Sequence, residues 1–231
     1  GVDLAEIAVI VRDNKDRDDV IDFLVKSEIP YHIYGGGDIL RDVWIRKLLS
    51  LIRVVNDPFD DLNVYDVLTL NAFEIDQVDV FRLATAASKL KKHYFEVVND
   101  KKFDAPDSLK HFFGFIFRMQ RASHDQNFAN FFEQLLNESG LLQLVMMRPD
   151  RLEILNKINS LYSFIRKQAE IYPTFSLGDF LERVDMMVEH RIKIQEQEWL
   201  SSASAVQVMT AHKSKGLEFE YVFLPKCFDG R

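Results

Sequence analysis

The chain has 231 residues, 47% of them hydrophobic and 28% charged, an ordinary folded composition with room for one large domain or two small ones. Its formal net charge of −7 argues against a protein that wraps nucleic acid over its whole surface, although a local basic site is compatible with it. A single cysteine, Cys227, excludes an internal disulfide and a cysteine metal cluster, and no segment is long enough to span a bilayer. We therefore expect a cytoplasmic protein with no metal site of its own and no membrane partner.

The N-terminal part alternates between strand and helix patterns. Ile7–Val11 is a continuous apolar run, typical of a strand buried on both faces of a parallel sheet, and Arg12 follows it. Residues 17–26 are amphipathic, and residues 31–34 predict a second strand. This order predicts a right-handed βαβ crossover. Ligands of such sheets lie beyond the carboxyl ends of the strands, which is where Arg12 stands.

A long helical region comes next. Residues 41–55 predict a helix with a wide apolar face, and the polar stretch 56–61, which contains a proline, marks a first domain boundary. From about residue 62 to residue 199 the pattern is helical, and residues 201–204 predict a flexible return linker. The predicted helix starts are Asp76, Asp107 or Ser108, Asn127, Pro149 and Ser176, and the last helix is expected to reach about Glu196.

Phenylalanine is over-used, with 19 copies, which predicts a large aromatic core. Four of these residues lie close together in one predicted helix: Phe112, Phe113, Phe115 and Phe117. Exposed aromatic rings can stack on nucleic-acid bases, but the helical spacing of these four favours packing in the core. An acidic, Phe-rich helical block is also compatible with a non-catalytic protein-interaction module, and this alternative stays open.

Two short apolar runs flank a polar loop near the C-terminal end. Residues 206–209 precede the loop and residues 221–224 follow it, and each run predicts a buried strand. The loop carries hydroxyl, imidazole, ammonium and carboxylate groups and a glycine: Thr210, His212, Lys213, Lys215, Gly216 and Glu218. Such groups suit a polyanion, because lysines neutralise phosphate and glycine lets the backbone come close. The four strands together predict one partial parallel sheet, so the fold class is α/β plus an all-α block inserted into the sheet.

The loop also carries a family resemblance. Residues 209–219, MTAHKSKGLEF, closely resemble motif V of the superfamily 1 DNA helicases of the UvrD/Rep/PcrA type. The strand Ile7–Val11 with Arg12 after it resembles motif IV of the same family. The sequence Tyr-Gly-Gly at 34–36 and the helix after it resemble the segment that follows motif IV, although Val43 stands where the family has an acidic residue.

The resemblance implies a domain organisation. Residues 1–58 correspond to the first part of the RecA-like motor domain 2A, residues 59–202 to its helical insertion 2B, and residues 203–231 to the return into 2A. The chain is therefore expected to be a piece of a longer helicase, whose other motor domain is its partner within the same polypeptide. The resemblance is specific in the two flanking parts and general in the helical insertion.

The resemblance also implies roles for six residues. Arg12 corresponds to the arginine that reaches the ATP phosphates across the motor cleft and acts in catalysis, where a guanidinium stabilises charge on the transferring phosphoryl group. Gly216 and Glu218 correspond to nucleotide-side contacts. The cofactor is ATP with Mg²⁺, bound mainly by the other motor domain. The residues that correspond to contacts with single-stranded DNA are Thr210, His212 and Lys213.

Two departures from the family limit what this chain does alone. It contains no G-x-x-x-x-G-K-[ST] phosphate loop and no acidic Walker B strand, so we expect the chain alone to hydrolyse no ATP. Residues 70–76, LNAFEID, lack the glycine-rich G-I-G turn with which many relatives hold duplex DNA.

The implied whole protein is an ATP-dependent helicase that translocates 3′ to 5′ on single-stranded DNA and unwinds duplex DNA in repair or recombination. Single-stranded DNA is the expected partner, with duplex DNA as a further possible one. The helicase component of a helicase–nuclease stays open as an alternative within the same class.

Overall fold

The computed structural model describes residues 2–12, 14–33, 37–196 and 204–226. The chain forms two compact units, one drawn from residues 1–37, 149–157 and 195–231, the other from residues 38–148 and 158–194. The first unit holds the sheet, and the second is helical. The division at residue 37 precedes the boundary expected near residue 58. The assignment of 1–58, 59–202 and 203–231 to family domains stays a prediction.

One parallel sheet forms the centre of the first unit. Its strands are β1 (Ile7–Val11), β2 (Tyr31–Ile33), β3 (Val206–Thr210) and β4 (Tyr221–Phe223), in the spatial order β2-β3-β1-β4. All three pairings are parallel. The four predicted strands are therefore confirmed, as is their assembly into one sheet. Sequence-distant strands β1 and β3 lie side by side, and this adjacency positions the candidate site.

Helix α1 (Asn14–Lys26) covers one face of the sheet. Its Leu24 is buried against Val206 and Val208 of β3, with Ile7 and Val9 of β1 packed alongside. The burial of β1 is less complete than the sequence predicts, since only its second and fifth residues are fully buried and the other three are half-buried. The hydrophobic effect stabilises the small sheet through this packed face and also through Ala8 and Met209, which point to the opposite face and are fully buried.

Strand β4 corrects a second expectation about burial. The apolar run 221–224 predicts a buried strand, but Tyr221, Val222 and Phe223 are 45%, 49% and 57% exposed. The reason is position rather than composition. In the described residues β4 pairs with β1 alone, so it is an edge strand with a neighbouring strand on one side only.

The remaining α-helices of the described residues lie between α1 and β3 in the sequence. They are α2 (Val43–Asn56), α3 (Asp61–Leu68), α4 (Gln77–Leu90), α5 (Tyr94–Val98), α6 (Asp107–Asp125), α7 (Phe128–Glu138), α8 (Leu141–Met146), α9 (Arg151–Ile171) and α10 (Leu177–Glu189). No helix in the described part of the chain is long and apolar enough to cross a membrane. The order of these elements confirms a mixed α/β architecture in which a helical block stands, in the sequence, between two pieces of a parallel sheet.

Phenylalanine side chains fill the helical core. Phe112, Phe113 and Phe115 are at most 8% exposed, so they pack inside the unit and form no base-stacking surface. Phe117 is half-buried, and its ring centroid lies 4.6 Å from that of Phe95. Aromatic pairs at such distances add to the free energy gained by burying their area. The core interpretation of this cluster is confirmed.

Several helix termini follow the predicted signals. Asp76, Asn127 and Ser176 each accept a hydrogen bond from a backbone N–H of the first turn, as N-cap residues do. Neither Asp107 nor Ser108 caps α6, because Pro106 occupies the N-cap position and Asp107 is already helical. Helix α10 ends at Glu189, seven residues before the predicted end at Glu196. The Tyr-Gly-Gly segment 34–36 and most of the predicted linker, 201–203, lie outside the described residues.

Candidate nucleotide and nucleic-acid site

The carboxyl ends of β1 and β3 form one edge of the sheet. Val11, the last residue of β1, is in register with Thr210, the last residue of β3. Immediately beyond them, the Ala211 N–H donates a hydrogen bond to the Val11 carbonyl at 3.1 Å. Arg12 therefore leaves its strand beside the start of the polar loop, although the two are about two hundred positions apart in the sequence. The edge is where ligands of parallel sheets bind.

The loop that follows β3 is a compact turn held by its own backbone. The Thr210 carbonyl accepts hydrogen bonds from the N–H groups of Lys213 and Ser214, at 2.9 and 3.1 Å. The Ser214 hydroxyl donates to the Ala211 carbonyl at 2.9 Å. Gly216 has φ of +86°, a left-handed conformation that glycine adopts without steric cost. These bonds fix the backbone from which the loop side chains project.

The side chains at this edge are open to solvent. Arg12, His212, Lys213 and Glu218 are exposed, and Thr210 is half-buried. Within the described residues none of the four exposed side chains has a hydrogen-bond or ion-pair partner. Charged groups that stay unpaired on a fixed backbone are free to bind an anionic ligand without first breaking an internal contact.

The structure does not tie all of the predicted residues to one point. The register of β1 and β3 joins Arg12 to Thr210 and to the turn that carries His212 and Lys213. Glu218 lies on the segment that runs back to Tyr221, which pairs with Ile7 at the opposite end of β1. Its carboxylate is therefore not linked by sheet register to the edge where Arg12 lies.

Two features of the site escape sequence reasoning. The bond between Ala211 and Val11 joins backbone atoms, which have no side-chain signature. The Ser214 hydroxyl is visible in the loop sequence, but only the folded turn reveals that it donates to a carbonyl three residues earlier. Among the described residues there is no group of three or more His, Cys, Asp or Glu side chains that could hold a metal ion.

Comparison with known proteins identifies the family of this chain. The profile of the UvrD-like helicase C-terminal domain matches residues 1–231. Similar proteins include the A component of an ATP-dependent helicase/nuclease from Pediococcus pentosaceus, 22% identical over 96% of this chain and 19% of the relative. They also include the ATP-dependent DNA helicase Rep of Salmonella typhimurium, 25% identical over 97% of this chain and 35% of the relative.

A third relative, the ATP-dependent DNA helicase PcrA of Bacillus subtilis, is 22% identical over 98% of this chain and 32% of the relative. The chain thus spans between 19% and 35% of the length of these relatives. The resemblance of its two motifs to superfamily 1 helicases, the adjacency of those motifs in the sheet and the whole-length profile match agree with one another. The chain belongs to the family of UvrD-like helicase C-terminal domains.

Proposed function

We propose that this chain is part of an ATP-dependent motor that translocates 3′ to 5′ along single-stranded DNA and unwinds duplex DNA. Its sheet would be part of the RecA-like motor domain 2A, and its helical block the insertion 2B. The observation that carries the proposal is the hydrogen bond between Ala211 and Val11, since it joins Arg12 to the start of the polar loop at one sheet edge. In a motor, the affinity for DNA must depend on which nucleotide is bound. Two sites at one sheet edge can be coupled over a short distance.

Arg12 is proposed as the residue that stabilises the transition state of ATP hydrolysis. A guanidinium placed on the transferring phosphoryl group compensates the charge that develops there, and such arginines contribute about 10³- to 10⁵-fold in rate. The exposed, unpaired state of Arg12 among the described residues supports this role. The backbone of Gly216 and the carboxylate of Glu218 are proposed to contact the nucleotide. Mg²⁺ would be held mainly by the ATP phosphates and the other motor domain.

Single-stranded DNA is the proposed ligand of the first half of the loop. Lys213 supplies a point charge for a phosphate, while the Thr210 hydroxyl and the His212 ring supply hydrogen bonds. The loop carries these groups on a turn whose backbone bonds are internally satisfied, so binding does not have to order the loop first. We place the whole protein in the cytoplasm, in DNA repair or recombination.

The test is the ATPase rate of the complete protein, measured with and without single-stranded DNA. We expect strong stimulation by DNA in the wild type and a loss of a hundredfold or more in Arg12→Ala, equivalent to about 3 kcal/mol of transition-state stabilisation. Arg121→Ala, which removes an exposed arginine of α6, is the matched control and should keep the wild-type rate. Absence of any DNA-stimulated turnover in the wild type would refute the proposal and favour a non-catalytic interaction module.

The segment of residues 1–231 on its own is expected to hydrolyse no ATP, because a phosphate loop has to come from elsewhere in the protein. Measurable turnover by the purified segment would contradict this expectation. The similar proteins carry names of both helicases and helicase/nucleases. A nuclease domain in the complete protein would identify it as a helicase/nuclease.

A further inference from the structure

A cluster of four lysines lies on the helical unit. Lys89 and Lys91 stand at the C-terminal end of α4, while Lys101 and Lys102 stand in the turn after α5. All four side chains are exposed. We call these four residues the lysine patch. In a chain with a net charge of −7, such a local concentration of positive charge differs in sign from the rest of the molecule.

Specific contacts bring the two halves of the lysine patch together. Lys92 Nζ pairs with Asp100 Oδ2 at 2.6 Å, and Asp100 Oδ1 accepts the Lys102 backbone N–H at 2.9 Å. Earlier in α4, the Arg82 guanidinium lies 5.9 Å from the centroid of the Phe103 ring. These contacts hold the turn that carries Lys101 and Lys102 beside α4, at whose C-terminal end Lys89 and Lys91 stand.

The lysine patch is not neutralised from within. Among the described residues none of its four ammonium groups has an ion-pair partner. The nearby carboxylates of Asp79, Glu96 and Asp100 are engaged with Arg82, the His93 backbone and Lys92, respectively. Asp104 adds a single exposed carboxylate on the same segment. The bond to a neutral backbone N–H leaves the charge of Glu96 in place. In the described part of the chain, four unpaired ammonium groups therefore stand beside two carboxylates without an ion-pair partner, Glu96 and Asp104, and the balance stays positive.

One helix end makes this arrangement tolerable in the folded state. Helix α4 ends at Leu90, so Lys89 and Lys91 lie at the negative end of its dipole. The dipole offsets part of the repulsion between like charges, but it leaves the surface positive. A polyanion that bound here would gain from all four charges together and would displace no internal partner.

We propose that the lysine patch binds the phosphate backbone of duplex DNA. Lysines at exposed positions act as flexible point charges, which suit backbone contacts that do not read sequence. Proteins that hold single strands add exposed aromatic rings for base stacking, whereas the ring of Phe103 is half-buried beneath Arg82. The choice of DNA as the polyanion rests on the proposed function. Duplex contact would then come from a surface other than residues 70–76.

The experiment measures binding of a short blunt DNA duplex to the complete protein between about 50 and 200 mM salt. The test variant carries Lys89→Gln, Lys91→Gln, Lys101→Gln and Lys102→Gln. The control variant removes four exposed cations elsewhere on the helical unit, with Lys110→Gln, Arg121→Gln, Lys167→Gln and Lys193→Gln, and so changes the net charge equally. A single strand of the same length is the second probe.

For the test variant we expect duplex affinity at the lower salt concentration to fall by at least about tenfold, and the slope of log K against log salt to become shallower by about 3. The control variant should keep most of the wild-type affinity, and single-strand binding should change little in either. Equal losses in both variants, no loss in the test variant, or an equal loss for both probes would overturn the assignment to duplex DNA. Unchanged duplex affinity would point to an acidic protein as the partner.

The outcome is separable from that of the proposed function. The test variant should keep its ATPase stimulation by single-stranded DNA, because none of the four lysines lies at the sheet edge. If the wild type lacks stimulated ATPase but the test variant alone loses duplex binding, the proposed function fails and the lysine patch stands. If stimulation is normal and duplex binding does not respond to the test variant, the reverse holds.

Discussion

At the scale of single residues, two glycines with positive φ differ in what surrounds them. Gly216, in the candidate site, has φ of +86°, and a Cβ built there would meet nothing within 4 Å. Gly140, between α7 and α8, has φ of +75°, and its Cβ would lie 2.9 Å from the Ala72 carbonyl oxygen. A side chain at Gly216 costs only backbone strain. A side chain at Gly140 adds a clash with a backbone atom that cannot rotate away.

Gly140→Ala should therefore lower the free energy of unfolding by about 2 kcal/mol or more, the sum of left-handed strain and a steric contact. Gly114→Ala is the control, because Gly114 lies within α6 with open space around its Cβ position. That change should raise stability by about 0.5–1 kcal/mol through helix propensity. Urea unfolding followed by circular dichroism measures both. Similar midpoints for the two variants would contradict the close approach at Ala72.

At the scale of elements, the sequence predicts strands and helix starts better than it predicts burial and helix ends. Strands β1 and β3 are apparent from their short apolar runs, and Ser176 starts α10 with a side-chain oxygen that caps it. The end of α10 carries no glycine. It is closed instead by Arg191 at φ of +56° and by a hydrogen bond from the Ile192 N–H to the Met187 carbonyl at 2.8 Å. This is a Schellman motif in which a non-glycine residue takes the left-handed position, so the usual stop signal is missing.

The edge position of β4 was unpredictable for a related reason. An apolar run indicates a strand, but the number of its neighbours depends on residues far away in the sequence. Likewise, the polar loop was identifiable from its residues, whereas its position beside Arg12 depends on the β1–β3 register. Local chemistry could be inferred from the sequence. The tertiary adjacency that turns this chemistry into a site required the fold.

The cap of α10 gives a prediction about pH. The Ser176 hydroxyl and backbone N–H both donate to Asp179 Oδ2, at 2.6 and 2.8 Å, and the hydroxyl bond is the larger cause that lowers the pKa of Asp179. Because the pKa of Asp179 is lower in the folded state, its carboxylate stabilises the fold at pH values above the pKa that Asp179 has in the unfolded chain. This stabilisation is lost as the pH falls through the lower pKa of the folded state. Asp179→Asn should thus make the pH dependence of stability shallower between about pH 5 and pH 3.

Ser176→Ala should lower the free energy of unfolding by about 1 kcal/mol at neutral pH. It removes the hydroxyl that accepts a hydrogen bond from the Asp179 N–H and donates one to the Asp179 carboxylate. The loss of stability should shrink as Asp179 becomes protonated. Glu182→Gln, an exposed carboxyl on the same helix, is the control for a general change of charge. Urea midpoints across the pH series measure all three variants. An effect of Glu182→Gln as large as that of Asp179→Asn would show that net charge, and not the cap, sets the pH dependence.

At the scale of the whole molecule, the proposed motor needs different residues to contact the nucleotide and the DNA, while the affinity for each ligand depends on the other. Arg12 and His212 are carried by neighbouring strand ends, and a backbone hydrogen bond joins those ends at 3.1 Å. Coupling between two ligands is reciprocal, so a factor by which a nucleotide changes DNA affinity is also the factor by which DNA changes nucleotide affinity. A change confined to the DNA side should weaken DNA binding without altering how the nucleotide binds alone.

His212→Ala is that change. In the complete protein we expect it to weaken single-stranded DNA binding about tenfold or more, the loss of one hydrogen bond to a charged phosphate. The affinity for a non-hydrolysable ATP analogue, measured without DNA, should stay at the wild-type value, because His212 contacts no nucleotide in the proposed arrangement. His124→Ala, at an exposed position near the end of α6, controls for the removal of an imidazole. If His212→Ala lowered analogue affinity in the absence of DNA as much as it lowered DNA affinity, the loop would act as a single nucleotide-dependent unit. The assignment of separate nucleotide and DNA residues would then be wrong.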